Sequence, residues 1–251
     1  MRFLEDLWTI MLREFLRYRR DRAYVMGQLL VPILIVGFIG FGLNPVVRIP
    51  GGGTNYLGWL STGFLVLMLS SGAIGGGFTL IQDREAGFLR AILVAPVSRA
   101  SIVLGKILSR IAASVLLIAV LIAIFLAFTP ISLVHPLVSL VALAGLSFSF
   151  VSFGILLATR LRALESYRLI AGLVTVPLYL TSGIFFPVKT MPAAMRAVAH
   201  ANPVTYGVDL FRYGLTGVHE LPLALDAAIV VALGALLTAL AVSAFDRRTR
   251  D

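Results

Sequence analysis

Residues 111–159 read IAASVLLIAVLIAIFLAFTPISLVHPLVSLVALAGLSFSFVSFGILLAT, 49 positions without a single Asp, Glu, Lys or Arg. A membrane helix needs only about 20 apolar residues to cross the roughly 30 Å hydrocarbon layer. The stretch is too long for one helix. Thr129-Pro130 and His135-Pro136 interrupt its middle, because proline removes a helix donor and clashes with the preceding turn. It reads as two spans joined by a hairpin. Four further charge-free stretches flank it: Ala23 to Val47 with 25 residues, Ile49 to Gln82 with 34, Leu169 to Val188 with 20 and Ala227 to Phe245 with 19. The expectation is an all-α membrane protein with six spans, near Tyr24 to Leu43, Tyr56 to Ile81, Ile102 to Phe128, Leu137 to Thr159, Leu169 to Phe186 and Leu223 to Phe245.

Composition agrees. The chain has 251 residues, 59% hydrophobic and 13% charged, against about 45–50% apolar and 25% charged in soluble domains. Six spans and short connections use up this length, so residues 1–251 form one transmembrane domain with no separate soluble part. The net charge of +9 is read as the bias of basic residues toward cytoplasmic helix ends, not as a nucleic-acid surface. Seventeen Lys and Arg fall on the side holding both termini, and four on the other. The termini are thus expected in the cytoplasm, and the chain in the inner (cytoplasmic) membrane.

Two segments on the basic side are not spans. On a helical wheel, Leu4, Leu7, Trp8, Met11, Phe15 and Tyr18 share one arc, with Arg2, Glu5, Asp6, Arg13, Arg17 and Arg20 opposite. This is the pattern of an interfacial helix over residues 1–23, with its apolar face toward lipid and its arginines toward anionic headgroups. Gln82 to Pro96 opens with charges, continues as a helix-compatible apolar run and stops at proline. It reads as a short cytoplasmic helix, within a loop over 82–101, whose Phe88, Leu89 and Ile92 are more apolar than a solvated connector needs. On the other side, 187–222 contains four prolines and short apolar patches. Short helices dipping into the membrane from outside fit it.

Several chemistries are excluded. Without cysteine there are no disulfides, thiolate metal sites or thiol catalysis. No H-E-x-x-H or G-x-S-x-G occurs, and His135, His200 and His219 all fall in outer turns. Leu104-Gly105-Lys106-Ile107 lacks the upstream glycine and the Ser/Thr of a phosphate-binding loop, so the chain cannot hydrolyse ATP alone. Ion-coupled transport calls for ionisable groups near mid-span, whereas Lys106, Arg110 and Asp226 lie near span ends, where they are expected to snorkel. Neither cofactor nor metal is expected on this chain. The aromatic residues Phe64, Phe148, Phe150, Phe153 and Tyr179, with Phe185 and Phe186 closing the fifth span, are the candidate substrate pathway. Glycines such as Gly37, Gly40, Gly75 and Gly76 permit close helix approach, within the chain or between subunits, and Gly75-Gly76-Gly77 could let the second span bend.

The run Asp83-Arg84-Glu85-Ala86-Gly87-Phe88-Leu89-Arg90-Ala91-Ile92-Leu93-Val94-Ala95-Pro96-Val97-Ser98-Arg99, followed by Gly105-Lys106, resembles the cytoplasmic loop of ABC-2-type transporter permease subunits. Ser182-Gly183-Ile184-Phe185-Phe186-Pro187, Met191-Pro192 and Asn202 to Arg212 resemble the same family, and the likeness covers nearly the whole chain. It implies two six-helix subunits, a second copy of the chain or a paralogue. Each sits on one of two ABC-type ATPase subunits that carry ATP and Mg. It also implies that Arg84, Glu85, Gly87, Phe88, Leu89, Arg90 and Pro96 belong to a coupling helix. Three functions then compete: export of a hydrophobic, amphipathic or lipid-linked substrate, with glycan export as its variant; a non-transporting membrane anchor of an ATPase complex; and an intramembrane enzyme, which the empty motif search disfavours.

Overall fold

The computed structural model describes residues 2–50, 53–87, 99–161 and 163–248, and among these it is all helical. Helix α1 covers Arg2–Arg20 and α2 Arg22–Ile35, the latter running on through a π-helical turn Val36–Gly40 to Leu43. Then come α3 (Tyr56–Glu85), α4 (Arg99–Phe125), α5 (Pro136–Arg160) and α6 (Leu164–Thr181). After a 3-10 turn at Val188–Thr190, α7 (Ala193–Ala201) and α8 (Pro203–Thr216) precede α9 (Leu223–Arg248).

Among the described residues, five helical segments are long and apolar enough to cross a membrane: Arg22–Leu43, Tyr56–Glu85, Ser101–Phe125, Pro136–Arg160 and Leu223–Arg247. Helix α6 is the short one. Its 18 residues reach only about 27 Å at 1.5 Å each, and they include Glu165 and Arg168. It begins at Leu164 and ends at Thr181, so its helix does not extend to Phe186 as expected; a turn at Gly183 with φ +77° stops it. Nevertheless α6 runs the length of the bundle. It starts just beyond the last residue of α5, where Tyr167 donates to Ile74 O at 2.7 Å, and just past its end Gly183 O accepts from Trp59 Nε1 in the first turn of α3 at 3.1 Å.

Helix α3 is the hub, because it is apolar on every face, the pattern of a helix enclosed by others. It packs on α4, α5, α6 and α8. Its crossing with α5 is closest at Gly77 and Gly154, where a Cβ on Gly77 would strike the backbone of Gly154. The helix continues unbroken through Gly75-Gly76-Gly77. The glycine assignments divide. Gly40 packs on Leu57, Gly75 on the Arg110 guanidinium and Gly76 on Val151, whereas Gly37 has open space beside it.

Candidate functional site

At the end of the bundle carrying both termini, α1 lies along α4. Lys106 of α4 is buried and donates to Asp83 Oδ2 of α3 at 2.6 Å and to Glu14 Oε1 of α1 at 3.0 Å. Arg17 adds Nη1 to Asp83 Oδ1 at 3.0 Å and Nη2 to Gln82 Oε1 at 2.8 Å, and Arg13 bridges Glu14 and Asp83. Glu14, Asp83 and Lys106 are all under a tenth exposed. Such a network is retained only when every charge is paired, since an unpaired buried charge costs several kcal/mol. The expected snorkelling of Lys106 is thus replaced by an ion-paired lock between three helices. The expected face of α1 is corrected too: part of its polar side, through Arg13, Glu14 and Arg17, turns onto the protein, and Trp8, Leu12 and Leu16 are left exposed.

The lock stands at the root of the loop singled out in the sequence. Asp83, Arg84 and Glu85 are the last turn of α3, not part of a separate helix. Arg84 donates to Leu161 O at 3.0 Å and Ala158 O at 3.3 Å, capping the end of α5. Glu85 is exposed, and Gly87 takes φ +71°, a conformation that suits glycine. Phe88, Leu89, Arg90 and Pro96 lie outside the described residues.

Beside the lock, Arg110 also fails to snorkel. Its Nη2 donates to Gly75 O at 3.3 Å and its guanidinium lies 5.4 Å from the ring centre of Tyr18. Burial, reinforced by Tyr24 and opposed by Arg110, pushes the Tyr18 hydroxyl up to about 12, so it remains a neutral donor.

The opposite end is scaffolded by the second family-like motif. Arg212, 1% exposed, lies 3.5 Å from the Trp59 ring centre and donates to Gly183 O at 2.9 Å and Thr62 Oγ1 at 3.2 Å. Asp209 accepts from the N–H groups of Glu220 and Leu221, and Glu220 from those of Val188 and Lys189. Asn202 ties α8 back to Leu178 O and Thr181 Oγ1. Asp226, fully buried beside Asp209, has neither oxygen hydrogen-bonded among the described residues, so it too does not snorkel. An Asp226→Asn variant replaces the carboxylate beside Asp209 with a neutral group that can donate to it. It is expected to raise the melting temperature of the purified protein by the equivalent of about 1 kcal/mol; a lower melting temperature would contradict this.

The pathway aromatics do not form one row. Phe64 meets Phe185 edge to face at 5.8 Å, Phe150 lies 6.2 Å from Tyr179, and Phe186, half exposed, stacks near Tyr56. Phe148 faces away from these, into an apolar groove of about 1130 Å³ between α5 and α9. Phe153 is half-buried on α5.

Residues 5–216 match the model of the ABC-2 type transporter family. The chain belongs to that family. Among its relatives, the transport permease ycf38 of Porphyra purpurea is 27% identical over 218 residues, covering 84% of this chain and 74% of the relative. Inner membrane transport permease YadH of Escherichia coli K12 is 25% identical over 236 residues, covering 91% and 88%. Nodulation protein J of Neorhizobium galegae is 24% identical over 220 residues, covering 84% and 80%. The family membership makes the chain a membrane permease, a class that is not itself an enzyme. Glu14, Lys106, Asp209, Arg212 and Asp226 were not singled out as site residues from sequence. Lys106 and Arg110, one turn apart in an otherwise apolar helical run, are the available signal, since such charges need partners.

Proposed function

We propose that the chain is the membrane-spanning subunit of an ATP-driven exporter that moves a hydrophobic, amphipathic or lipid-linked substrate out of the cytoplasm or inner leaflet. Two copies of the chain, each with six crossings, sit on two ABC-type ATPase subunits, and ATP with Mg is bound there. The course of α6 along α3, from Tyr167 at Ile74 to Gly183 at Trp59, supports the sixth crossing. The observation that carries the reading is the buried Glu14–Asp83–Lys106 lock at the root of the 82–101 loop. Displacement of that loop by ATPase closure would be passed through a rigid, paired junction to α1, α3 and α4 at once, and a packed junction switches between discrete arrangements instead of deforming.

Two measurements test this. With the ATPase in proteoliposomes, Glu85→Ala or Gly87→Leu is expected to lower substrate-linked ATP hydrolysis at least fivefold while insertion is unchanged; full activity of both rejects the coupling role. For sidedness, the cysteine-free chain permits single cysteines at the exposed positions Lys189 and Ala163. An impermeant thiol reagent is expected to label Lys189→Cys in intact cells and not Ala163→Cys. The reverse pattern overturns cytoplasmic termini.

A further inference from the structure

Between α1, α2, α3, α4 and α6 lies a cavity of about 660 Å³, within the range of about 300–1,000 Å³ usual for small-ligand sites. Its walls differ from those of the apolar groove between α5 and α9, because they carry charge and hydroxyl-bearing rings: Arg17, Arg110 and Arg168 with Tyr18, Tyr24 and Tyr167, and also Glu14 and Asp21.

The acids are committed. Glu14 accepts from Lys106 and Arg13, and Asp21 caps the start of α2 by accepting from Tyr24 N at 3.1 Å. Arg17 is committed to Asp83 and Gln82. Two cations are left over. Among the described residues, Arg110 makes one hydrogen bond through Nη2, and its Nη1 is buried with no partner. Arg168 lies over the Phe78 ring at 4.9 Å and has no carboxylate partner among the described residues. A guanidinium stacked on an aromatic face keeps its N–H rim available for a planar pair of acceptor oxygens. The Arg110 head rests against Gly75, at ordinary van der Waals distance (3.5 Å) from where a Cβ would stand.

The position is informative as well. Gly75 lies eight residues before Asp83, about 12 Å along α3, so the unpaired charge of Arg110 sits inside the bundle instead of at its rim. An isolated cation at that depth is expensive and is ordinarily kept for a ligand or an ion path. The cavity is flanked by α2 and α6, which do not pack substantially on one another. Both turn apolar side chains outward beside it, among them Met26, Leu30, Leu169 and Leu173. An anionic head and an apolar tail are therefore accommodated together, the head inside and the tail through the side.

We propose that this cavity binds the phosphate group of an amphipathic molecule, with Arg110 as the primary counter-charge and Arg168 as the second. The assignment of such a molecule as the exported substrate rests on the transport reading above; the binding itself does not. The test accordingly uses the purified full-length chain in nanodiscs, without ATPase or ATP. Binding of fluorescent phosphatidic acid is compared with that of neutral diacylglycerol bearing the same chains and fluorophore. At least tenfold tighter binding of phosphatidic acid is expected, falling at least tenfold in Arg110→Gln, severalfold in Arg168→Gln and not at all in Arg196→Gln at the opposite end. Competition by millimolar inorganic phosphate supports recognition of the free oxyanion; tight phosphatidic acid binding without such competition supports a lipid headgroup. Equal affinity for diacylglycerol overturns the proposal, as does undiminished phosphatidic acid binding in Arg110→Gln. Should Arg110→Gln not fold, the wild-type comparison with diacylglycerol still decides. Headgroup-selective binding without any transport would sink the export reading and leave the site standing.

Discussion

Lys106→Met is expected to lower stability by about 3–5 kcal/mol, the range measured when one partner of a buried ion pair is removed. The substitution leaves Glu14 and Asp83 buried, facing each other across the vacated position, with only the partly exposed Arg13 and Arg17 to compensate. Loss of the junction frees α1, whose main packing is on α4. A melting curve in detergent and limited proteolysis within residues 2–20 read this directly. The combination Glu14→Gln, Asp83→Asn and Lys106→Met removes all three charges and should recover most of the lost stability, because the cost lies in the unpaired acids and not in the missing lysine itself. If the lock also transmits motion, the triple variant folds yet couples ATP hydrolysis to transport poorly. A single Lys106→Met with wild-type melting and protease resistance would show that the pairing carries no load.

The bundle was legible because helix crossing of a bilayer leaves a coarse signature. Charge-free stretches and two prolines placed Tyr56–Glu85, Arg99–Phe125 and Pro136–Arg160 within a few residues at each boundary. The fifth helix was misplaced by several residues, since hydropathy counts Ile184, Phe185 and Phe186 as span while Gly183 adopts a positive φ and ends the helix before them. The amphipathic pattern of α1 was legible, but not the destination of its polar face, because a helical wheel cannot tell solvent from a buried lysine on another helix. The same blindness applies to Lys106, Arg110 and Asp226. Nearness to a span end made snorkelling the economical reading, and partners distant in sequence, such as Glu14 for Lys106, are set by packing alone. The second motif, by contrast, was recognised as a pattern before its physical content was visible: Gly183, Asn202, Asp209 and Arg212 hold the turns after α6 against α3 and α9 through backbone groups.

Gly154→Leu and Gly77→Leu are expected to abolish recovery of folded protein. In the absence of a hydrophobic effect between helices, membrane bundles gain stability from close backbone approach at small residues, and the α3–α5 crossing is among the most extensive in this bundle. A Cβ on Gly154 would stand 2.8 Å from Ile74 O and 2.9 Å from the Tyr167 hydroxyl, with backbone on one side and a hydrogen-bonded ring on the other. Neither can yield cheaply. Tyr167 reaches in from α6 and donates to Ile74 O at 2.7 Å, so parting α3 from α5 also strips a buried carbonyl of its partner. Three helices would separate for one added side chain. Tyr167→Phe isolates the hydrogen-bond share and should cost only about 1 kcal/mol. Gly37→Leu is the matched control, since nothing lies within 4 Å of a Cβ there; it should leave the monomer folded. Size-exclusion profiles of fluorescent fusions give the readout, and a monodisperse Gly154→Leu peak at wild-type yield would refute the crossing as the pivot of the bundle.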